Sequence, residues 1–174
     1  MKFGEMNNFH VALAYINKRI YEPNCLTIEL IQEEKQNSKY GAGAFNIGSK
    51  RIRFRVANTT PTKIGQFVVF WEKDEKNVNQ PYAYEKAPDL LVVTTFKKDG
   101  RFGQFIFPKE VLFKERILSS RSTKGKMAIR VYPSWDKPAS KEAINTQQWQ
   151  LPYFIDMSDL NPESIDRVIE LYTL

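Results

Sequence analysis

Lys50-Arg51-Ile52-Arg53-Phe54-Arg55-Val56-Ala57 alternates charge with hydrocarbon, and that period of two marks a β-strand. Successive strand side chains point to opposite faces. Arg51, Arg53 and Arg55 therefore share one face, and Ile52, Phe54 and Val56 share the other. The apolar trio predicts the side that meets a core. Three like charges on one pleat repel each other, so the arginine face is expected to meet a polyanion. The strand lies within a run from Lys35 to Lys63 that holds seven basic residues and no acid.

Outward from this strand, Gln66–Trp71 and Leu90–Phe96 are nearly continuous apolar runs of the kind buried on both faces. Lys97-Lys98-Asp99-Gly100 predicts a hairpin turn, with Gly103–Phe107 as the return strand. Pro108 opens a short helix, and Met127–Tyr132 predicts a further strand. Upstream, Gly41, Gly43 and Gly48 bracket a strand around Tyr40–Ile47. Met6, Phe9, Leu13, Ile16 and Ile20 recur at helical spacing and predict an amphipathic helix over about residues 5–21. Leu26, Ile28, Leu30 and Ile31 predict a second helix reaching about Glu34, although β-branched Thr27 and Ile28 also suit a strand. Two helices follow the sheet, over about 139–150 and 161–172, the latter capped by Asn161 with Pro162 in its first turn. The expected architecture is one α/β (or α+β) domain over 1–174. It has N-terminal helices over about 5–34, a sheet core over about 40–132 and C-terminal helices over about 139–172, making a single mixed sheet flanked by helices.

The chain has 174 residues, a formal net charge of +6 and 42% hydrophobic residues, which suits one folded domain with a sizeable core. Charge is unevenly spread. Residues 97–130 carry ten bases against Asp99, Glu110 and Glu115, whereas residues 154–174 carry Arg167 against five acids. Two basic blocks, 35–63 and 97–130, are thus expected to converge on one surface, the electrostatic footprint of a nucleic-acid binder. One cysteine, Cys25, excludes an intrachain disulfide and a cysteine-based zinc site. No signal-peptide core and no membrane-length apolar run is present, so a cytoplasmic location away from the membrane is expected.

Catalytic signatures are sparse. His10 is the only histidine, and neither a GxGxxG turn nor a phosphate loop appears. Metal-dependent phosphodiester cleavage needs clustered carboxylates, usually an acid on one strand and an acid and a lysine two apart on the next. The corresponding strand here offers Arg53, Arg55 and Asn58. Asp74-Glu75-Lys76 has the spacing but lies in a hydrophilic loop. Glu29, Glu33 and Asp89 are the remaining acids expected near the sheet. No cofactor is expected, and Mg²⁺ or Mn²⁺ enters only if those three carboxylates gather. Binding chemistry is better supplied, by arginines that grip phosphate through a planar fork and by Lys63 beside the Thr59–Thr62 hydroxyls. Arg130 on its strand, Lys124 and Lys126 in a basic loop, and Tyr132 and Trp135 as base-stacking rings complete the set.

Phe54-Arg55-Val56-Ala57 followed by Thr60-Pro61-Thr62-Lys63-Ile64-Gly65-Gln66-Phe67-Val68 and Trp71 resembles the MepB-like family. The resemblance extends through Gly103–Lys109, Arg130–Asp136, Thr146–Gln150 and Tyr153-Phe154 in the family's order. It implies a restriction-endonuclease-like α/β core and, by analogy with that core, a nucleic-acid role. The residues it carries over as a site are Arg55, Lys63, Gln66, Lys109 and Arg130, with Tyr132, Trp135 and Trp149 lining it. Asn58 stands where the resemblance would place a lysine, which counts against lysine-assisted cleavage. The expected function is nucleic-acid binding, to DNA or RNA, without an intact catalytic constellation. The alternatives are a nuclease using Glu29, Glu33 and Asp89, or a module for a small anion or a protein partner.

Overall fold

In the computed structural model, which describes residues 5–174, the arginine strand is β3 (Lys50–Val56). The first four residues of the expected 1–174 domain lie outside the described residues. β3 pairs antiparallel with β2 (Gly43–Ile47), which pairs antiparallel with β1 (Ile28–Glu33). On its other side β3 runs parallel to β8 (Leu90–Phe96), and antiparallel β9 (Phe102–Pro108) and β11 (Phe154–Asp156) complete a six-stranded mixed sheet. The runs at 66–71 and 127–132, expected in that same sheet, build a second one. β5 (Gln66–Val69) lies between β4 (Asn58–Thr59) and β10 (Ala128–Val131), antiparallel to both. A small hairpin, β6 (Glu72–Lys73) and β7 (Asn79–Gln80), follows β5.

The period-two pattern fixes which side of the main sheet meets which layer. Ile52, Phe54, Val56, Val92 and Ile106 are buried with Phe9, Leu13 and Ile16 of α1 (Phe9–Ile16) and Val168 and Leu171 of α4 (Pro162–Thr173). On the opposite face Leu91, Val93, Phe105 and Phe107 pack with Val68 of β5, Ile129 and Val131 of β10, and Leu112 of α2 (Lys109–Lys114). Both faces are therefore covered, as the apolar run from Leu90 to Thr95 requires. α3 (Lys141–Gln150) adds Trp149 to the second layer. The Asn161 side chain caps α4 by accepting the Ser164 N–H at 2.8 Å.

One expected helix is a strand. Ile28–Glu33 of that stretch form β1, entered through the β-branched Thr27-Ile28 pair. The register shifts between Glu29 and Gln32, and Leu30 there adopts a positive φ of 54°. Of the apolar residues that suggested a helical stripe, Leu26 and Ile28 join the core, while Leu30 and Ile31 stand at this bulge, Leu30 with 77% of its surface exposed.

The arginine face is the second correction. Arg55 has no exposed surface, so no polyanion reaches it. Its Nη2 donates to Glu34 Oε2 at 2.8 Å and to the Tyr82 hydroxyl at 3.2 Å, its Nη1 to Phe54 O at 2.9 Å and its Nε to Val69 O at 3.2 Å. Arg53 donates to the other oxygen of Glu34 at 3.1 Å and lies 3.7 Å over the Tyr82 ring. Burial pushes the Tyr82 phenol above its usual pKa, and the neighbouring arginines oppose that rise. One carboxylate just past β1 thus absorbs two charges of β3, while a carbonyl of β5 ties the second sheet to the first. Arg51 alone of the three is exposed at the surface.

A second buried polar cluster sits on the helical face. The Tyr172 hydroxyl donates to Gln104 Oε1 at 2.6 Å and lies 2.6 Å from the Tyr21 hydroxyl, while Gln104 Nε2 donates to Thr94 Oγ1 at 3.0 Å. Burial pushes the Tyr21 phenol up to about 12 and the Tyr172 phenol well above its usual value.

Two outcomes follow for stability. Arg55→Gln leaves Glu34 short of its closest partner and is expected to cost about 3–5 kcal/mol in urea unfolding, whereas Arg51→Gln changes stability by less than about 0.5 kcal/mol. A folded Arg55→Gln protein of unchanged stability would contradict the ion-pair account. For Tyr21, the folded-state value lies above the ordinary 10.0. Its contribution to stability is therefore intact below about pH 10 and is lost as pH rises toward 12. Late phenolate absorbance should appear together with loss of near-UV circular dichroism.

Candidate nucleic-acid interface

The connection between β4 and β5, residues 60–65, is held from behind by one arginine. Arg130 on β10 lies opposite Phe67 in the register, and its Nη1 donates to Thr60 Oγ1 at 3.0 Å, Ile64 O at 3.3 Å and Gly65 O at 3.4 Å. Its Nε and Nη2 have no acceptor among the described residues. At Gly65, φ is +86°, and a Cβ would stand 2.7 Å from the Tyr132 ring and 2.9 Å from Val131 O. Only glycine fits that turn against Tyr132.

Cavities open on either side of this connection. The first, about 780 Å³, lies between the 60–65 segment, β10 and α3, and is lined by Lys63, Phe67, Lys126, Arg130, Glu142 and Trp149 among others. The second, about 770 Å³, lies beyond the carboxyl ends of parallel β3 and β8, where Asn58, Gln66, Lys97, Lys98, Trp135 and Asp136 contribute. A crevice past the carboxyl ends of adjacent parallel strands is the usual ligand position in open α/β sheets. Among the described residues, the two clefts are lined by five bases (Lys63, Lys97, Lys98, Lys126 and Arg130) and three acids (Glu115, Asp136 and Glu142), leaving these linings positive.

Local supports explain why these side chains stand where they do. Gln150 at the end of α3 accepts the Tyr132 N–H at 2.9 Å and donates to Arg130 O at 3.0 Å, extending the edge of β10. Gln147, one turn earlier, donates to Asp136 O at 2.8 Å and Pro133 O at 3.1 Å, fixing the segment that carries Trp135. Trp135 meets Phe154 edge-on at 5.5 Å between ring centres, and the Arg101 guanidinium lies 5.0 Å over its ring. Gln66 donates to Phe96 O at 3.2 Å, while its buried Oε1 has no partner among the described residues. Burial raises the Asp136 carboxyl above its ordinary range, an effect that Lys97 opposes.

Of the residues expected at the site, Lys63, Gln66, Lys126, Arg130, Tyr132 and Trp135 gather around these clefts. Arg53 and Arg55 are buried or paired inside the fold, and Arg51 lies at the start of β3, away from both clefts. Lys109 begins α2 with its ammonium 4.8 Å over the Tyr84 ring, and Lys124 is exposed outside both linings. The two basic blocks do meet, but through Lys63 of the first and Lys97, Lys98, Lys126 and Arg130 of the second. Lys97 and Lys98, read from the sequence as turn residues within the 97–130 basic block but not as candidate site residues, are the ones missed.

The three candidate carboxylates stand apart. Glu29 is exposed on edge strand β1 and Glu33 lies 3.4 Å from the His10 imidazole, whereas Asp89 accepts the Arg51 N–H at 2.8 Å at the opposite end of β8 from the second cleft. Among the described residues no three His, Cys, Asp or Glu side chains gather closely enough to hold a metal ion.

The family model described as MepB-like matches residues 34–156. The solved crystal structure of MepB is similar to this chain at 38% identity with a TM-score of 0.76, covering 87% of this chain and 97% of that one. No curated protein matches the chain.

If Arg130 pins the 60–65 segment, Arg130→Gln should free it while leaving the cores intact. Loss of charged hydrogen bonds of about 2 kcal/mol in total is expected to raise the rate of limited tryptic cleavage after Lys63 by tenfold or roughly more. An unchanged cleavage rate at unchanged global stability would refute the pinning role.

Proposed function

This chain belongs to the MepB-like family, and from its paired basic clefts we propose that it binds nucleic acid, DNA or RNA, through phosphate contacts. The observation that carries this reading is Arg130, whose Nη1 is committed to the 60–65 segment while Nε and Nη2 are left for an anion in a cleft shared with Lys63 and Lys126. A guanidinium oriented in advance loses less freedom on gripping a phosphate than a mobile lysine does. Lys97 and Lys98 extend the positive path past the carboxyl ends of β3 and β8. Trp135 offers a ring to an unpaired base.

We read the main sheet as a restriction-endonuclease-like core whose hydrolytic constellation has been replaced. Where that chemistry uses an acid and a lysine two residues apart, β3 carries Arg53 and Arg55, already paired with Glu34. The cations on that strand serve the fold, and binding is transferred to the clefts. A cytoplasmic setting belongs to the same reading. It is supported by the lone Cys25 and by the absence, among the described residues, of a helix long and apolar enough to cross a membrane.

Binding measured over a range of salt tests the proposal. Each phosphate contact contributes about 0.9 to the slope of log K against log salt for duplex DNA and about 0.7 for single strands. Lys63→Gln and the double change Lys97→Gln/Lys98→Gln should lower the slope by about one and two such steps, and Arg51→Gln should leave it unchanged. Salt-independent binding, or none, would sink the reading. Incubation with Mg²⁺ or Mn²⁺ is expected to give binding without turnover. Metal-dependent cleavage abolished by Glu29→Ala, Glu33→Ala or Asp89→Ala in a folded protein would establish a nuclease instead.

A further inference from the structure

Among the described residues, Lys63 and Ile64 alone line both clefts. The two cavities are nearly equal in volume, about 780 and 770 Å³, and sit on either side of that dipeptide. Lys63-Ile64 is therefore a ridge between two basic channels. Ile64 is 47% exposed, although Lys63, Lys97, Lys98 and Lys126 surround it along the same linings. A branched hydrocarbon on a phosphate-binding surface adds nothing to charge neutralisation. Isoleucine is, however, one of the side chains that proteins insert between base steps to unstack them.

The ridge is also braced, as a wedge must be. Arg130 holds the carbonyls of Ile64 and Gly65 from the first cleft, Tyr132 packs against Gly65, and Pro61 stiffens the approach. Each channel contains a half-buried aromatic ring for a base released from its stack, Trp149 in the first and Trp135 in the second. Each cleft has room for a nucleotide or two of one strand.

We propose that Lys63-Ile64 is a strand-separating wedge and that the ligand of this surface is a forked nucleic acid, one unpaired arm in each cleft. Lys63 neutralises phosphates where the two backbones diverge, and Ile64 stacks on the last intact pair. The proposal rests on the nucleic-acid reading and names the form of nucleic acid that the same surface takes.

The test uses the full chain and three fluorescently labelled probes of one sequence: a single strand, a blunt duplex and a duplex ending in two unpaired arms. Anisotropy titration should show the fork bound at least about fivefold tighter than either linear probe, with 2-aminopurine at the junction brightening as it unstacks. Ile64→Ala and Ile64→Ser are surface changes that leave the core untouched. Both should reduce the fork preference to less than about twofold and abolish the 2-aminopurine signal while preserving single-strand affinity. Linear and forked probes bound alike, or a fork preference that survives both variants, would overturn the wedge while leaving nucleic-acid binding standing. Failure to bind any of the three probes would overturn both.

Discussion

A guanidinium stays protonated at any pH that a folded protein survives, so burying Arg55 obliges the fold to supply acceptors around it. Those acceptors come from both sheets and a connecting loop: the carboxylate that follows β1, a carbonyl of β5, the Tyr82 hydroxyl and the carbonyl of the neighbouring Phe54. The requirement is directional. Each acceptor has to approach in the plane of the guanidinium, which sets how β5 lies across β3 and where the chain leaves β1. With β5 placed, β10 pairs to it and brings Arg130 behind the 60–65 segment. The position of the clefts is thus a consequence of satisfying one buried cation two strands away.

This arrangement separates two uses of positive charge that look alike in composition. On β3 the charge is enclosed and neutralised, and it specifies how two sheets pack. Around residues 60–65 the charge is only partly satisfied by the protein, since Arg130 spends one nitrogen on carbonyl oxygens and the lysines stand at the surface. An anion there meets acids only at the cleft walls and an exposed ion pair of Lys97 with Asp99 at 3.6 Å, whereas at Arg55 it would have to displace a buried carboxylate contact and expose a core. Unsatisfied donors are more informative about binding than the density of basic residues.

Local signals in the chain were the legible ones. The strand at 50–56, the hairpin at 97–100, the apolar run at 90–96 and the Asn161-Pro162 helix start each depend on residues within a few positions, and each is found where its pattern predicts. β1 was obscured because a bulge at Leu30 breaks the period-two pattern, leaving apolar residues at spacings that imitate a helix. The fate of the arginine face was hidden for another reason. Its largest partners are Glu34, just outside the acid-free run, and a main-chain carbonyl, which any residue at position 69 would supply. The family resemblance located Lys63, Gln66 and Arg130, but nothing local announced that the Lys97-Lys98 turn would join them at the end of β8.

The buried cluster of Tyr21, Gln104 and Tyr172 has a meaning in time as well as in space. Its two hydroxyls meet across 151 positions of chain, through a glutamine from the middle. During synthesis the first helix and strands β1 to β9 emerge well before α4, and until that helix arrives the Gln104 side-chain carbonyl lacks its shortest donor inside an otherwise apolar layer. Contacts of such long sequence separation form late, because the loop they close carries a high entropic cost. A nascent chain on the ribosome therefore holds an open seam along its helical face, which hydration or a chaperone can occupy. Docking of α4 closes that seam.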